Sequence, residues 1–158
     1  MAYIEGHSSE PGCLFCTRLA EPDGPGNLIL DRGPNAFVIL NRYPYTNGHS
    51  MVVPMAHVPT LEGLDEATLL DLMRLTNRVC AALRLTYGAE AFNVGANIGK
   101  PAGAGVEEHV HLHVVPRWPG DTNFMATTAE TRVIPESLDQ TYARLLASWR
   151  ELEFRSPG

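Results

Sequence analysis

Residues 109–115 place His109, His111 and His113 at every second position, with Val110, Leu112, Val114 and Val115 filling the remaining ones. Alternate side chains of a β-strand point to opposite faces, so this spacing predicts a strand that lines up three imidazoles on one side. Such a row is unfavourable if every ring is protonated, and burying several imidazoles without partners costs free energy. The row therefore needs a use. Two remain open on the residues alone. One is a three-imidazole metal centre. The other is a site where one neutral ring attacks a phosphorus while its neighbours and backbone amides hold the phosphate oxygens.

The rest of the chain has to supply a scaffold for that strand. Its 158 residues at 44 % hydrophobic composition suffice for one domain, expected over residues 13–158 after a flexible segment at 1–12. Residues 21–27, "EPDGPGN", read as a turn. "NAFVILNRY" (35–43) and "HSMVVPMAHV" (49–58) are apolar runs separated by "PYTNG", whose Asn-Gly suits a tight hairpin reversal. From Asp65 to Leu85 the period becomes helical, with Leu69, Leu72, Met73, Thr76, Val79, Cys80 and Leu83 in register, Asp65 as N-cap and Gly88 as stop. "AFNVGANIG" (91–99) is a strand entering the Gly-rich "GKPAGAG", and residues 135–153 form a second amphipathic helix with Leu138, Tyr142, Leu145, Leu146 and Trp149 on one face. Strands in succession with two helices argue for an α+β fold with a mostly antiparallel sheet.

Charge and cysteine usage narrow the partners. With 12 basic and 18 acidic residues the net charge is −6, so nucleic acid and anionic membrane are not expected partners, and an anionic ligand requires a local site. No apolar run approaches the ~18 residues of a membrane span, and "MAYIEGHSSEPG" lacks the basic and apolar regions of a signal peptide, so a cytoplasmic protein is expected. Cys13 and Cys16 stand at C-x-x-C spacing, which suits two thiolates on one zinc; a thioredoxin-type redox pair would need a βαβ context that the pattern lacks. Gly99, Gly103 and Gly105 allow backbone amides close to an anion, although "GKPAGAG" has no Walker spacing.

The pattern His-φ-His-φ-His-φ-φ, together with "NRYPY…GH…VVP" and "FNVG…HVHLHVVPRW", resembles the histidine triad (HIT) superfamily of nucleotidyl transferases and hydrolases from "CLFC" to "RWPGDTNF". It is most similar to the dinucleoside polyphosphate branch, which includes bacterial diadenosine tetraphosphate phosphorylases and fragile-histidine-triad hydrolases. The resemblance implies a five-stranded antiparallel sheet with one long central helix and a C-terminal helix, in a homodimer or higher homo-oligomer. It implies cleavage of dinucleoside polyphosphates at the α-phosphate by His111 as nucleophile. A nucleotidyl-histidine forms and is resolved by phosphate or water, with His113 donating to the phosphate or leaving oxygen and His109 completing the triad. Asn97 then lines the phosphate path with Gly103 and Gly105 beside it, and Asn41 meets the ribose; Trp118 and Phe124, by position alone, suit a base stack or equally a cover for core or a subunit contact. Where many relatives carry Gln followed by Ser or Thr before the triad, this chain has Gly105 and Val106, so backbone amides must substitute. In zinc-bearing members the remaining ligands are a histidine after the hairpin and the first triad histidine, here His57 and His109, which with Cys13 and Cys16 make a closed structural Cys₂His₂ site. His49 is expected to support the hairpin. The alternatives are an adenosine phosphoramidase-type hydrolase and a non-catalytic purine-nucleotide-binding module.

Overall fold

The computed structural model describes residues 12–121 and 136–155. A short helix α1 (Leu14–Leu19) is followed by β1 (Ile29–Arg32), β2 (Ala36–Leu40), β3 (Ser50–Pro54), the long helix α2 (Glu66–Tyr87), β4 (Ala91–Gly95), β5 (Leu112–Arg117) and α3 (Leu138–Arg155). The strands form one antiparallel sheet in the order β1-β2-β3-β5-β4, as the resemblance implied. Phe37, Val38, Val52, Val53 and Val114 are fully buried in it. Among the described residues no helix is long and apolar enough to cross a membrane.

The long helix begins and ends where its local chemistry dictates. Asp65 accepts a hydrogen bond from the Thr68 amide at 2.8 Å, satisfying one of the free first-turn donors, and Gly88 closes the helix at φ 63°, where a side chain would be strained. Its buried stripe of Leu72, Leu75, Thr76, Val79 and Leu83 packs on β2, β3 and β5. Two members of the expected face are corrected: Leu69 and Met73 are 36 % and 50 % exposed, because they flank the stripe rather than lie on it. Cys80 is half-buried against the core, and burial pushes its thiol up.

Helix α3 packs on α2 and touches β1. Trp149 is buried, with its indole N–H donated to Asp31 at 3.0 Å, and the Tyr142 hydroxyl donates to the Ile29 carbonyl at 2.8 Å. These bonds satisfy the polar ends of two otherwise apolar anchors.

Three local expectations are corrected. The β2–β3 pair is a hairpin, but its connection spans residues 41–49 rather than a two-residue reversal. Asn41 accepts from the Tyr43 amide and Asn47 from the Glu136 amide, so both asparagines are engaged in holding a wide loop. "CLFC" is helical, which the two-helix count omitted, since six residues are too few to show a period. Finally, the paired part of the histidine strand starts at Leu112; His109 ends a turn closed on the Val106 carbonyl, and the segment to His111 is anchored by the Val110 amide on the Val58 carbonyl at 2.8 Å. His109 is drawn out of the ladder by the contacts described below.

Candidate active site and metal-ligand cluster

One side of the sheet is covered by α2. The histidines, at alternating positions, face the other side, where α1 closes over them. The ring of Phe15 lies 5.3 Å from that of His109 and 4.9 Å from that of His111, and the His111 and His113 rings are 4.9 Å apart. A cleft of ≈ 620 Å³ opens here, lined by His111, His113, Asn41, Asn97, Gly103 and Gly105. An apolar end formed by Leu28, Ile39, Leu40 and Met51 completes it. Five of the residues expected to meet substrate or phosphorus from separate segments thus converge with the central histidine. Gly103 has φ 92°, a conformation glycine adopts freely and a side chain does not, and nothing lies within 4 Å of where its Cβ would be.

The hydrogen bonds assign the ring tautomers. His111 Nδ1 lies 2.9 Å from the His109 carbonyl oxygen, which can only accept, so Nδ1 carries the proton and Nε2 keeps its lone pair. Burial pushes the His111 pKa below its ordinary value, keeping the ring neutral near pH 7. His49 Nδ1 faces the Tyr45 backbone N–H at 3.2 Å and must accept there, so its proton sits on Nε2, 3.0 Å from His113 Nδ1. His113 in turn accepts at Nδ1 and presents Nε2–H as a donor. Burial lowers the His113 pKa, as does the neighbouring His111, and His49 falls to about 4 by burial and the adjacent His113. His49, expected only to support the hairpin, therefore also orients a triad ring; "GH" in a turn gives no sign of that.

His109 is engaged elsewhere. Its Nε2–H donates to the Pro54 carbonyl at 2.8 Å, leaving Nδ1 unprotonated and facing a buried cluster of Cys13, Cys16, His57 and His109 whose ligand atoms all lie within 4.8 Å of one another. Cys13 Sγ is 3.3 Å from His109 Nδ1, Cys16 Sγ is 3.3 Å from His57 Nδ1, and the two Nδ1 atoms are 3.3 Å apart. Tetrahedral bonds of ~2.05 Å to nitrogen and ~2.3 Å to sulfur require N···N and S···N edges of about 3.4 and about 3.6 Å, so the donor set fits a divalent ion closely. The outer bond to Pro54 is of the kind that fixes a ligating imidazole. Burial is the largest cause holding the His109 pKa at about 4, which keeps it in the ligating, neutral form. A metal centre built from all three triad histidines does not form. Among the described residues the cluster takes His109 alone, and His111 Nδ1 is bound to a carbonyl.

Trp118 stands apart from the cleft, its indole half-buried against the core and donating to the Tyr87 carbonyl at 3.1 Å. The sequence places it two residues past the apolar run, and only packing reveals that it faces α2. Asp121 closes the turn below it, accepting from the Trp118 amide at 3.0 Å and pairing with Arg117 at 3.1 Å. Asn123 and Phe124 lie outside the described residues, as does His7.

Comparison with known proteins bears on this arrangement. The HIT domain family model matches residues 25–120. The chain is 39 % identical over 142 residues to the AP-4-A phosphorylase of Mycobacterium tuberculosis, covering 90 % of this chain and 72 % of that protein. It is 35 % identical over 119 residues to the nitrilase and fragile histidine triad fusion protein NitFhit of Caenorhabditis elegans, covering 75 % of this chain and 26 % of that protein. Among solved structures it superposes on a Zn-bound histidine triad family protein from Mycobacterium smegmatis with TM-score 0.73 and 27 % identity, covering 92 % and 98 % of the two chains.

Proposed function

The chain belongs to the HIT family, and from that premise we propose that it cleaves dinucleoside polyphosphates, such as diadenosine tetraphosphate, at the α-phosphate through a nucleotidyl-histidine on His111. The observation that carries this reading is the 2.9 Å bond from His111 Nδ1–H to the His109 carbonyl, which leaves Nε2 as a neutral nucleophile in the cleft. Nε2 attacks the α-phosphorus; an N–P bond forms as the bridging P–O bond breaks, and the electron pair departs with the nucleoside polyphosphate. His113 Nε2–H donates to the leaving or non-bridging oxygen. The resulting phosphoryl-imidazolium is itself a good leaving group, so phosphate or water attacks the same phosphorus and returns His111 to its neutral form. The name of the mycobacterial relative favours phosphate as the acceptor.

The remaining roles follow the lining. Gly103 and Gly105 offer backbone amides and Asn97 its side-chain amide to non-bridging oxygens, the apolar end takes a purine, and Asn41 meets the ribose. The reading gives Trp118 no substrate contact. Cys13, Cys16, His57 and His109 hold zinc, a fit supported by their spacing and by the Zn-bound mycobacterial neighbour. Bound there, the ion has four protein ligands and no open position, so its chemistry is structural: it ties α1 to the segment that carries the nucleophile. Three reduced thiols, Cys13, Cys16 and Cys80, suit a reducing compartment, the cytoplasm. A homodimer joined through β4 is supported by that strand's place at the sheet edge and by Val94 at 46 % exposure, with Leu70 and Met73 of α2 about half exposed.

The test is incubation with diadenosine tri- and tetraphosphate, with and without inorganic phosphate, resolving ADP from AMP, plus acid-labile labelling of His111. ADP only with phosphate means phosphorolysis, and AMP regardless of phosphate means hydrolysis. Binding of AMP without turnover of any adenylylated compound, phosphoramidates included, would replace the proposal with a binding module.

A further inference from the structure

Building on the function proposed above, the geometry points to a second subsite, formed by Arg42, Tyr43 and Tyr45, that holds the leaving nucleoside polyphosphate: Tyr43 and Tyr45 stack on its base and Arg42 contacts its phosphates. Both tyrosines line the same cleft as His111 and His113, yet they are 81 % and 75 % exposed. A single exposed aromatic needs no explanation. Two on one rim, adjoining a cation, suit a planar anionic ligand.

Position assigns them to the leaving side. The rings step outward from the nucleophile: His111 to His113 is 4.9 Å, His113 to His49 is 5.2 Å and His49 to Tyr45 is 4.6 Å between centroids. His113 carries the donor for the departing oxygen and Tyr45 adjoins it through His49, which assigns Tyr45 to the leaving side. The apolar lining at Leu28, Ile39 and Leu40 suits the base that stays with the attacked phosphorus.

Charge gives the second argument. A chain of net charge −6 that binds a polyphosphate needs cations at the cleft. Arg18 and Arg42 are the arginines that line it. Arg18 is engaged by Glu21 at 3.3 Å, whereas Arg42 makes no ion pair among the described residues. The loop is also held in place before any ligand arrives. The Tyr43 amide donates to Asn41 at 2.8 Å and the Tyr45 amide to His49 at 3.2 Å, so stacking does not first have to order the backbone.

Two measurements test this in the full chain. In a His111→Asn background, which prevents turnover, calorimetry compares AMP with diadenosine tetraphosphate. Tyr43→Ala/Tyr45→Ala is expected to weaken the dinucleotide about fivefold or more and leave AMP unchanged, since stacking a base on an aromatic ring is worth at least about that factor. Arg42→Gln should likewise weaken the dinucleotide and leave AMP alone. In steady state with His111 intact, the same variants should raise KM for diadenosine tetraphosphate without altering turnover of the p-nitrophenyl ester of AMP, whose leaving group has neither phosphates nor a second base. Equal losses for both ligands, or none, overturn the subsite while AMP binding by the parent leaves the proposed function standing. If wild type neither binds AMP nor cleaves either substrate, the proposed function fails and the subsite with it.

Discussion

At the scale of single residues, the site works by assigning protons before any substrate arrives. Each ring of the triad has one nitrogen tied to a partner: His111 to a carbonyl, His113 to His49 and His109 to Pro54. His111→Ala or His111→Asn is expected to lower kcat/KM by about three orders of magnitude or more, because it removes the atom that forms the covalent bond; product assays and loss of acid-labile labelling check this. His49 makes a separate prediction in stability. Its folded pKa is about 4 against 6.5 in the unfolded chain, so the unfolded state binds more protons between those values. That contribution is complete above the unfolded value and is lost as pH falls toward the folded one. Between about pH 7 and about pH 5 it should remove about 2 kcal/mol of unfolding free energy. His49→Gln should flatten this dependence by a comparable amount in denaturant titrations at the two pH values.

At the scale of elements, short pieces are held by side chains from distant ones. Helix α1 has one turn and a half and no side-chain N-cap, far too little to be stable alone. It is kept against the site by Cys13, Cys16 and Phe15, all buried. Removing the metal with a chelator, or making Cys16→Ser, is expected to lower the melting temperature and weaken AMP binding, since Phe15 and Leu14 form part of the cleft wall. Elemental analysis of the purified protein should find about one zinc per chain. A finding of no metal, with unchanged melting after chelation, would remove the ion from the account. The β1–β2 turn is held in a similar way by α2. The Asp71 carboxylate accepts from the Asn35 amide at 2.8 Å, and a Cβ at Gly33 would come within 2.8 Å of the same carboxylate. Asp71→Ala leaves that amide without its partner and should cost about 1–3 kcal/mol in reversible denaturation.

At the scale of the whole molecule, the two edges of the sheet differ among the described residues. β1 is covered by α3, whose Trp149 and Tyr142 bond to it. Among the described residues β4 pairs only with β5, and most of its residues are exposed. That edge, with Val94 46 % exposed, suits pairing with a second copy of the chain. Light scattering is expected to give twice the 17.3 kDa chain mass, and Val94→Lys to shift the protein toward the monomer. A monomer at all accessible concentrations would refute the dimer.

Much of this was legible in the residues themselves. Period-2 and period-3.6 patterns and their caps located β2, β3, α2 and α3, because those signals are local: a strand or helix stripe, an Asp65 N-cap, a Gly88 stop. The histidine spacing and the C-x-x-C pair marked one strand and two thiols as chemically committed, while His111 as nucleophile and His57 and His109 as further ligands came from the resemblance to the HIT family. Other features depend on where distant segments meet. Whether His109 serves the triad or the cluster was decided by Cys13 and Pro54, which reach it from other elements. Trp118 was turned from the cleft to α2 by a carbonyl 31 residues away. His49 became a proton-orienting group only through His113, 64 residues later in the chain. Local patterning settles which elements form and where the chemically active residue types cluster. Tautomer, ligation and cleft lining follow from long-range packing, which no local pattern encodes.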